Sequence, residues 1–228
     1  MRITWRGHAF FQVECNDGTK LLIDPYVANG KTSKDLAFFK AWKPDMVLVT
    51  HGHNDHFGQA VDIGAPILGI FEVATYAKTK GASAEGMNIG GTFAKKGVRI
   101  TMTFAAHSSG LPAPEGQPLL MGGASAGYVI DDGQTKLYHA GDTGLFGDMR
   151  SVIGEVLRPD VACLPIGGHY TMDPAQAALA TKWLGVKHVI PMHYDTFPPI
   201  RQDPQEFVKG VGSAAKVHVL KVDEGVEV

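Results

Sequence analysis

The segment LVTHGHNDHFG, residues 48–58, determines how the rest of the chain is interpreted. It places His51, His53, Asp55 and His56 within six positions, directly after the apolar run MVLVT. A short apolar run rich in valine predicts a buried strand, so these side chains occupy the loop at the end of that strand. Loops held by rigid strands commonly carry binding and catalytic groups. Three imidazoles and a carboxylate suit zinc, iron or manganese, and chance rarely gathers them this closely.

Length and composition indicate an ordinary globular chain. Its 228 residues suffice for a large core, and no linker divides them, so we expect one domain over residues 1–228. The net charge is −2 and Lys and Arg form no run, which argues against a nucleic-acid partner. No stretch approaches the length of a membrane span. Cys15 and Cys163 form no disulfide framework, and a cytoplasmic location is expected.

Alternating and solidly apolar runs, separated by turn residues, predict many strands and few helices. Because some strands alternate and others are apolar throughout, we expect an α/β protein with two sheets packed together and helices outside. The predicted helices comprise residues 34–42 capped by Ser33, 72–80, 148–157, a helix ending at Leu184 that opens with the capping box Asp173 to Gln176, and a short one that opens with the same pattern at Asp203 to Glu206. The predicted strands comprise residues 3–5, 10–13, 20–23, 46–50, 66–70, 98–104, 126–130, 136–138, 160–166, 187–192 and 216–222. Residues 108–125, rich in Gly, Pro and Ser, predict a long surface loop.

Three further strand ends carry metal-competent side chains, namely His107, Asp142 and His193. Together with the first four they make five imidazoles and two carboxylates, more than one tetrahedral ion requires. Two ions that share one carboxylate would use the whole set. The number of candidate ligands therefore predicts a dinuclear site.

The order H-x-H-x-D-H, then a distant His, Asp and His, resembles the metallo-beta-lactamase superfamily over essentially the whole chain. The resemblance implies the metallo-beta-lactamase fold, a four-layer αββα sandwich with two mixed sheets face to face. It also implies how the ligands divide between the ions: His51, His53 and His107 hold the first, Asp55, His56 and His193 hold the second, and Asp142 bridges them.

A closer resemblance is to the uncharacterised metal-dependent hydrolases that are similar to ascorbate-6-phosphate lactonases. It is carried by Gly7-His8, by Ala106-His107-Ser108 and by PIGGHYTMD at residues 165–173. It implies a dinuclear, lactonase- or esterase-like hydrolase. We expect two divalent ions, zinc first, with manganese or iron as alternatives.

The expected reaction is attack of a metal-bridging hydroxide on a small ester, lactone or phosphoester. The expected catalytic residues are Asp55, Asp142 and His169. Asp55 would orient the hydroxide or move a proton as well as bind metal. Asp24 is expected to hydrogen-bond a ligand imidazole from outside the ligand set and so fix its tautomer.

The remaining histidines allow more than one interpretation. His169 precedes a capped helix start, so it is either a substrate-side acid or donor, which the resemblance favours, or a loop histidine bound to backbone. His8 is equally a turn residue or a functional one. A structural role is favoured for His139, and His188 and His218 are expected to fill surface or core positions.

Other functions remain open. They are a phosphodiesterase for a lipid-like or cyclic nucleotide substrate, a non-catalytic metal-binding sensor, and a diiron redox protein. A chain of 228 residues has no room for a helical thioester-binding domain, a nuclease insertion or a flavodoxin-like module. We therefore expect a small-molecule substrate and no nucleic-acid or membrane partner. Whether the chain forms a homo-oligomer is left open.

Overall fold

The computed structural model describes residues 1–29 and 31–228. Its main feature is a pair of mixed sheets, each of seven strands. The first sheet has the order β16-β1-β2-β3-β4-β5-β6. Its strands are β1 (Arg2–Trp5), β2 (Phe11–Glu14), β3 (Lys20–Ile23), β4 (Met46–Leu48), β5 (Ile67–Ile70), β6 (Ala84–Met87) and β16 (Gly225–Glu227).

The second sheet has the order β15-β14-β13-β12-β11-β8-β7. Its strands are β7 (Thr92–Lys95), β8 (Val98–Phe104), β11 (Ala126–Asp131), β12 (Lys136–His139), β13 (Val161–Pro165), β14 (His188–Met192) and β15 (Lys216–Val217). In both sheets one half is antiparallel and the other parallel. The change falls at the β3–β4 pair in the first sheet and at the β12–β13 pair in the second.

Helices cover the outer faces of the sheets. Helix α4 contacts β5 and β6, while α5 contacts β13, α6 and the π-helix. The helices are α1 (Leu36–Trp42), α2 (Asn54–Phe57), α3 (Ala60–Ile63), α4 (Phe71–Thr79), the π-helix Met149–Leu157, α5 (Pro174–Leu184) and α6 (Pro204–Val211). Within the described part of the chain, none of them combines the length and apolarity needed to cross a membrane.

One hydrophobic core lies between the two sheets and joins them. Tyr128 of β11 is fully buried, and its hydroxyl donates to the carbonyl oxygen of Val49, next to β4, at 2.7 Å. Phe11 of β2 packs edge-on against His139 of β12, with ring centroids 5.4 Å apart. These contacts confirm the expected αββα sandwich. They also confirm His139 as structural, since its Nε2 lies 3.0 Å from the carbonyl oxygen of Ala9.

The capping box before α5 is confirmed. Asp173 accepts from the Gln176 backbone N–H at 2.7 Å, and the Gln176 side chain accepts from the Asp173 backbone at 3.2 Å. The cap predicted for α1 is wrong. The helix begins at Leu36 and is capped by Asp35, because the Ser33 hydroxyl donates instead to Asp223.

Three other local predictions need correction. Asp203 caps α6 through the Gln205 backbone, but Glu206 pairs with Lys209 and completes no capping box. The predicted loop of residues 108–125 contains a two-stranded ribbon, β9 (Gly110–Leu111) with β10 (Leu120–Met121). The last predicted strand ends early, at Val217, and the strand β16, absent from the sequence-based prediction, pairs with β1.

Candidate metal centre

The His-rich segment folds tightly after β4. The Thr50 backbone N–H and hydroxyl both donate to Asp24, at 2.8 and 2.7 Å, which fixes the start of the loop. Helix α2 then winds directly after His53, whose carbonyl oxygen accepts from the backbone N–H of His56 at 3.0 Å. Gly58 ends this turn with φ +42°, where a Cβ would lie only 2.5 Å from the Pro25 carbonyl oxygen. The short helix therefore keeps the four candidate ligands close together.

The first group of candidate ligands consists of His51, His53 and His107, whose ligand nitrogens all lie within 4.8 Å of one another. His51 Nε2 is 2.9 Å from His53 Nδ1. His107 follows β8 and comes from the other sheet. Its loop is held by a hydrogen bond of 2.9 Å from the Ala106 backbone to the Thr143 hydroxyl.

The second group consists of Asp55, His56 and His193, and His8 lies within the same 4.8 Å limit. Asp142 connects the two groups. One of its carboxylate oxygens lies 3.2 Å from His56 Nε2, and the other lies 2.9 Å from His193 Nε2 and 3.6 Å from His107 Nε2. The structure thus brings all seven sequence-predicted metal residues together, and a third close group, His51, His56 and Asp142, joins the two sets.

The atoms of this set fit a metal ion. His56 Nε2, His193 Nε2 and one oxygen of Asp142 are buried, and their close contacts with one another lack hydrogen-bond geometry, so within the described residues these atoms have no hydrogen-bond partner. Burying a polar atom without a partner costs about 1–3 kcal/mol. A divalent cation shared by these lone pairs would remove that cost, and imidazole with carboxylate is a donor set that zinc accepts.

Three residues at the same place have a strained backbone conformation. His8, Asp24 and His193 have φ values of +55°, +49° and +56°. The left-handed region costs a residue with a side chain roughly 1–2 kcal/mol, and such outliers cluster at functional sites.

Asp24 contacts a candidate ligand imidazole, as the sequence predicted. It is fully buried, and its Oδ2 accepts from His56 Nδ1 at 2.7 Å. Nδ1 therefore carries a proton, which leaves Nε2, the nitrogen that faces Asp142, to bind an ion. Such a contact orients a ligand ring and raises its basicity.

The buried charges around Asp142 shift one another's pKa values. Burial alone would raise the pKa of Asp142, but His193 and His56 outweigh it and hold the pKa well below its ordinary value. Burial alone would lower the pKa of His56, but Asp142 and Asp24 raise it well above the ordinary value. The site thus favours an ionised Asp142 next to a strongly basic imidazole.

His8 and Asp55 form a second coupled pair. Burial, together with His193, lowers the pKa of His8 to about 4. Burial opposes ionisation of Asp55, but the hydrogen bond with His8 and the nearby His56 lower its pKa far below the ordinary value. At neutral pH the pair is a neutral imidazole and a carboxylate.

Five of the seven residues line a cavity of about 310 Å³. Its lining comprises His53, Asp55, His107, Ser108, Asp142, Tyr170, His193 and Phe197. His51 and His56 are fully buried and do not belong to this lining.

His169, predicted as catalytic, does not line this cavity. It is exposed, and its ring lies edge-on against Tyr170 with centroids 4.5 Å apart. Gly168, at φ +79°, turns the chain before it, and Tyr170 lines the cavity instead. The catalytic role of His169 therefore remains a prediction that the geometry does not favour.

Sequence patterns do not identify all of the residues that surround the candidate ligands. The sequence favours a turn role and a functional role for His8 equally. In the structure its ring centroid lies 4.1 Å from that of His193. Tyr170 and Phe197 were not assigned to the pocket. His188 and His218 are half-buried and contact each other at 2.9 Å. The sequence signals for His8 are its place after Gly7 in a strand-joining turn and the resemblance that Gly7-His8 helps to carry.

Comparison with known proteins gives the same family. The sequence model of the beta-lactamase superfamily domain family matches residues 2–193 of this chain. The chain is 47% identical to a UPF0173 metal-dependent hydrolase of Methanopyrus kandleri, over 100% of both chains. It is 45% identical to one of Methanobrevibacter smithii, over 92% of this chain and 89% of the relative.

A solved structure is also similar. Igni18, described as a novel metallo hydrolase from the hyperthermophilic archaeon Ignicoccus hospitalis, shares 43% of its sequence with this chain. The two superpose with a TM-score of 0.87, over 99% of this chain and 97% of Igni18. Both the family model and these relatives span most of the sequence. The chain therefore belongs to the beta-lactamase superfamily and, within it, to the family of the UPF0173 metal-dependent hydrolases.

Proposed function

We propose that this protein is a dinuclear metal-dependent hydrolase that cleaves a small ester, lactone or phosphoester. The observation that carries the proposal is the pair of ligand groups joined by Asp142 on the floor of a cavity of about 310 Å³. Relatives named metal-dependent hydrolase and metallo hydrolase, at 43–47% identity, support it. The residue roles below are part of the same proposal.

His51, His53 and His107 would hold one ion, and Asp55, His56 and His193 the other, with Asp142 between them. Five imidazoles among seven ligands favour zinc over a hard, oxygen-preferring cation, and manganese or iron remain the alternatives. Such ions, when bound, lower the pKa of a shared water and polarise the oxygen of the bond to be cleaved.

The protein's own groups would orient the reactants. The Asp55 side chain is 26% exposed and lines the cavity. Its Oδ2 is 3.1 Å from His8 Nε2, so Oδ1 is the oxygen left to bind an ion and to orient a water beside it. Asp24 holds His56 in the tautomer whose Nε2 lone pair faces the site.

The rest of the cavity would select the substrate. Tyr170 and Phe197 offer aromatic surface, and Ser108 offers a hydroxyl near His107. A volume of about 310 Å³ lies at the lower end of the range for ligand pockets, which runs from roughly 300 to 1,000 Å³. A small molecule with an apolar or aromatic group next to the scissile bond fits this space.

The test is a panel of activated substrates. Zinc-loaded protein would be assayed with p-nitrophenyl acetate, dihydrocoumarin, bis-p-nitrophenyl phosphate and p-nitrophenyl phosphate. Asp142→Ala should lose turnover with an unchanged fold, because the carboxylate between the groups is gone. Asp148→Ala is the control, since Asp148 is exposed and bonds only to Ser151 among the described residues.

Wild-type and Asp148→Ala protein should cleave at least one substrate class at equal rates. Full turnover by Asp142→Ala would refute the proposed bridging role. If wild-type protein loaded with metal cleaves none of the four, the hydrolase proposal fails and a metal sensor becomes the better explanation. The preferred substrate would separate an esterase or lactonase from a phosphodiesterase.

A further inference from the structure

We propose that His8 is a positioning residue that holds Asp55 and His193, two candidate ligands of the same ion, in place. The inference rests on the proposed metal centre, although not on the identity of the substrate. It assigns a role to a side chain that comes from the turn between β1 and β2, outside the segments that carry the ligands.

The turn itself is built to aim His8 inward. Hydrogen bonds of 2.9 Å from Phe10 to Gly7 and 2.8 Å from Arg6 to Phe10 close it. Gly7 has φ +96°, and a Cβ there would lie 2.7 Å from Lys31 Cβ. His8 is only 1% exposed and has φ +55°, an unfavourable backbone conformation for histidine. A buried histidine with a left-handed backbone in a strand-joining turn indicates that the position of its ring has a function.

Both ring nitrogens of His8 are engaged. Nε2 lies 3.1 Å from Asp55 Oδ2, and Nδ1 lies 2.9 Å from the Thr196 hydroxyl oxygen. An ionised carboxylate can only accept, so Nε2 donates to Asp55. Nδ1 then accepts from the Thr196 hydroxyl, and these two bonds fix the plane and tilt of the ring.

The backbone of His8 acts on the second ligand. Its carbonyl oxygen accepts from the His193 backbone N–H at 3.0 Å and from Trp5 Nε1 at 2.8 Å. Trp5 in turn stacks on Tyr194, with centroids 5.5 Å apart. His8 therefore supports Asp55 through its ring and His193 through its carbonyl group, and it links the first sheet to the loop after β14.

Direct ligation by His8 is the competing arrangement, because its nitrogen lies within 4.8 Å of ligand atoms of Asp55, His56 and His193. The hydrogen bonds decide against it. His8 Nε2 already has a partner in Asp55, whereas His56 Nε2 and His193 Nε2 are buried without one. The ring of His8 is satisfied by the protein alone, and the other two rings are not.

The test compares two substitutions at position 8. His8→Asn keeps a residue that tolerates the left-handed backbone, but its side chain is too short to reach Asp55. His8→Gln places an amide N–H near the position of Nε2 and restores the donor. His218→Asn is the control, because it removes a histidine that contacts His188 away from the metal centre.

The dissociation constants of both zinc ions would be measured by competition with a chelating dye, and the melting temperature of the metal-free protein would report the fold. We expect His8→Asn to lower the affinity for one zinc ion by about 10–100-fold, the usual effect of losing a group that orients a ligand. The other ion should bind as in wild type, and His8→Gln should recover most of the loss.

The inference is overturned if His8→Asn binds both zinc ions as wild type does, or if His8→Gln binds as poorly as His8→Asn. If His8→Asn does not fold, Thr196→Val decides. That variant keeps His8 but removes the hydroxyl that binds its Nδ1. It should lower the affinity for the same zinc ion several-fold, and an unchanged affinity would overturn the inference. A wild-type protein that does not bind two zinc ions would contradict the proposed metal centre itself.

Discussion

Replacing Asp24 by Asn tests how far the metal centre depends on a residue that would not touch the metal. Asp24 is fully buried and accepts three hydrogen bonds, two from Thr50 and one from His56. Asn keeps the shape of the side chain but offers one acceptor oxygen and an amide donor. The three donors around position 24 can therefore no longer all be satisfied.

The magnitude follows from the two ways in which Asn can be placed. If its oxygen faces His56, its amide faces the Thr50 backbone N–H, and two buried donors oppose each other. If its amide faces His56, that ring must move its proton to Nε2, the nitrogen that faces Asp142. An unsatisfied buried donor costs about 1–3 kcal/mol, and a lost charge-assisted bond adds a comparable amount. We therefore expect the free energy of unfolding to fall by about 3 kcal/mol. Zinc affinity should fall by about 10–100-fold.

Two assays check this prediction. Urea unfolding of metal-free protein gives the loss in free energy of unfolding, and dye competition gives zinc affinity. Asp132→Asn is the matched control, because Asp132 is buried and accepts backbone hydrogen bonds from Asn16, Gln134 and Thr135 but contacts no candidate ligand. It should lose stability and keep both zinc ions. An Asp24→Asn protein with wild-type zinc affinity would refute the reasoning.

Three further predictions concern other parts of the molecule. Burial opposes ionisation of Asp223, but hydrogen bonds from Thr32, Ser33 and Arg6 lower its pKa from 3.8 to about 2. Its contribution is therefore present above the unfolded pKa and is lost as pH falls through the folded value, so Asp223 alone should account for about 2 kcal/mol of the fall in unfolding free energy between pH 5 and pH 2. The same acid titration of Asp223→Asn should lack that part of the drop, and an identical slope would contradict it. Burial raises the pKa of Cys15 to about 12 and that of Cys163 further. A thiol reagent should thus label neither cysteine in native protein and both in urea, and rapid native labelling would be the contrary result. Tyr170 lines the cavity but is 54% exposed, so Tyr170→Ala should raise KM several-fold and leave kcat within about twofold in steady-state assays. An unchanged KM would remove Tyr170 from the substrate site.

The fold, and the grouping of the seven candidate ligands, are largely predictable because their signals are local. An apolar run followed by His51, His53, Asp55 and His56 indicates both the strand and the site in one segment. The ends of parallel strands share one edge of a sheet, so the positions of Asp142 and His193 after β12 and β14 were informative without any contact information.

The failures involve partners that are distant in the chain. Ser33 does not cap α1 because Asp223, 190 positions away, binds its hydroxyl. His8 could not be assigned because its partners, Asp55 and Thr196, lie 47 and 188 positions away. Sequence patterns over a few neighbouring residues carry no information about partners so far away along the chain.

The catalytic role predicted for His169 is not favoured by the geometry, for a different reason. Its assignment rested on a helix start and on the resemblance, and neither fixes the direction of a side chain. Gly168 turns the chain so that His169 faces solvent beside Tyr170.

The most direct test of the account is a crystal structure of the zinc-loaded protein with diffraction data collected at the zinc absorption edge. Two anomalous peaks roughly 3.5–4 Å apart are expected, as in two-metal hydrolytic sites. One should lie among His51, His53 and His107, the other among Asp55, His56 and His193, with Asp142 between them. A single peak, or none at these side chains, would contradict the dinuclear site on which the proposed function depends.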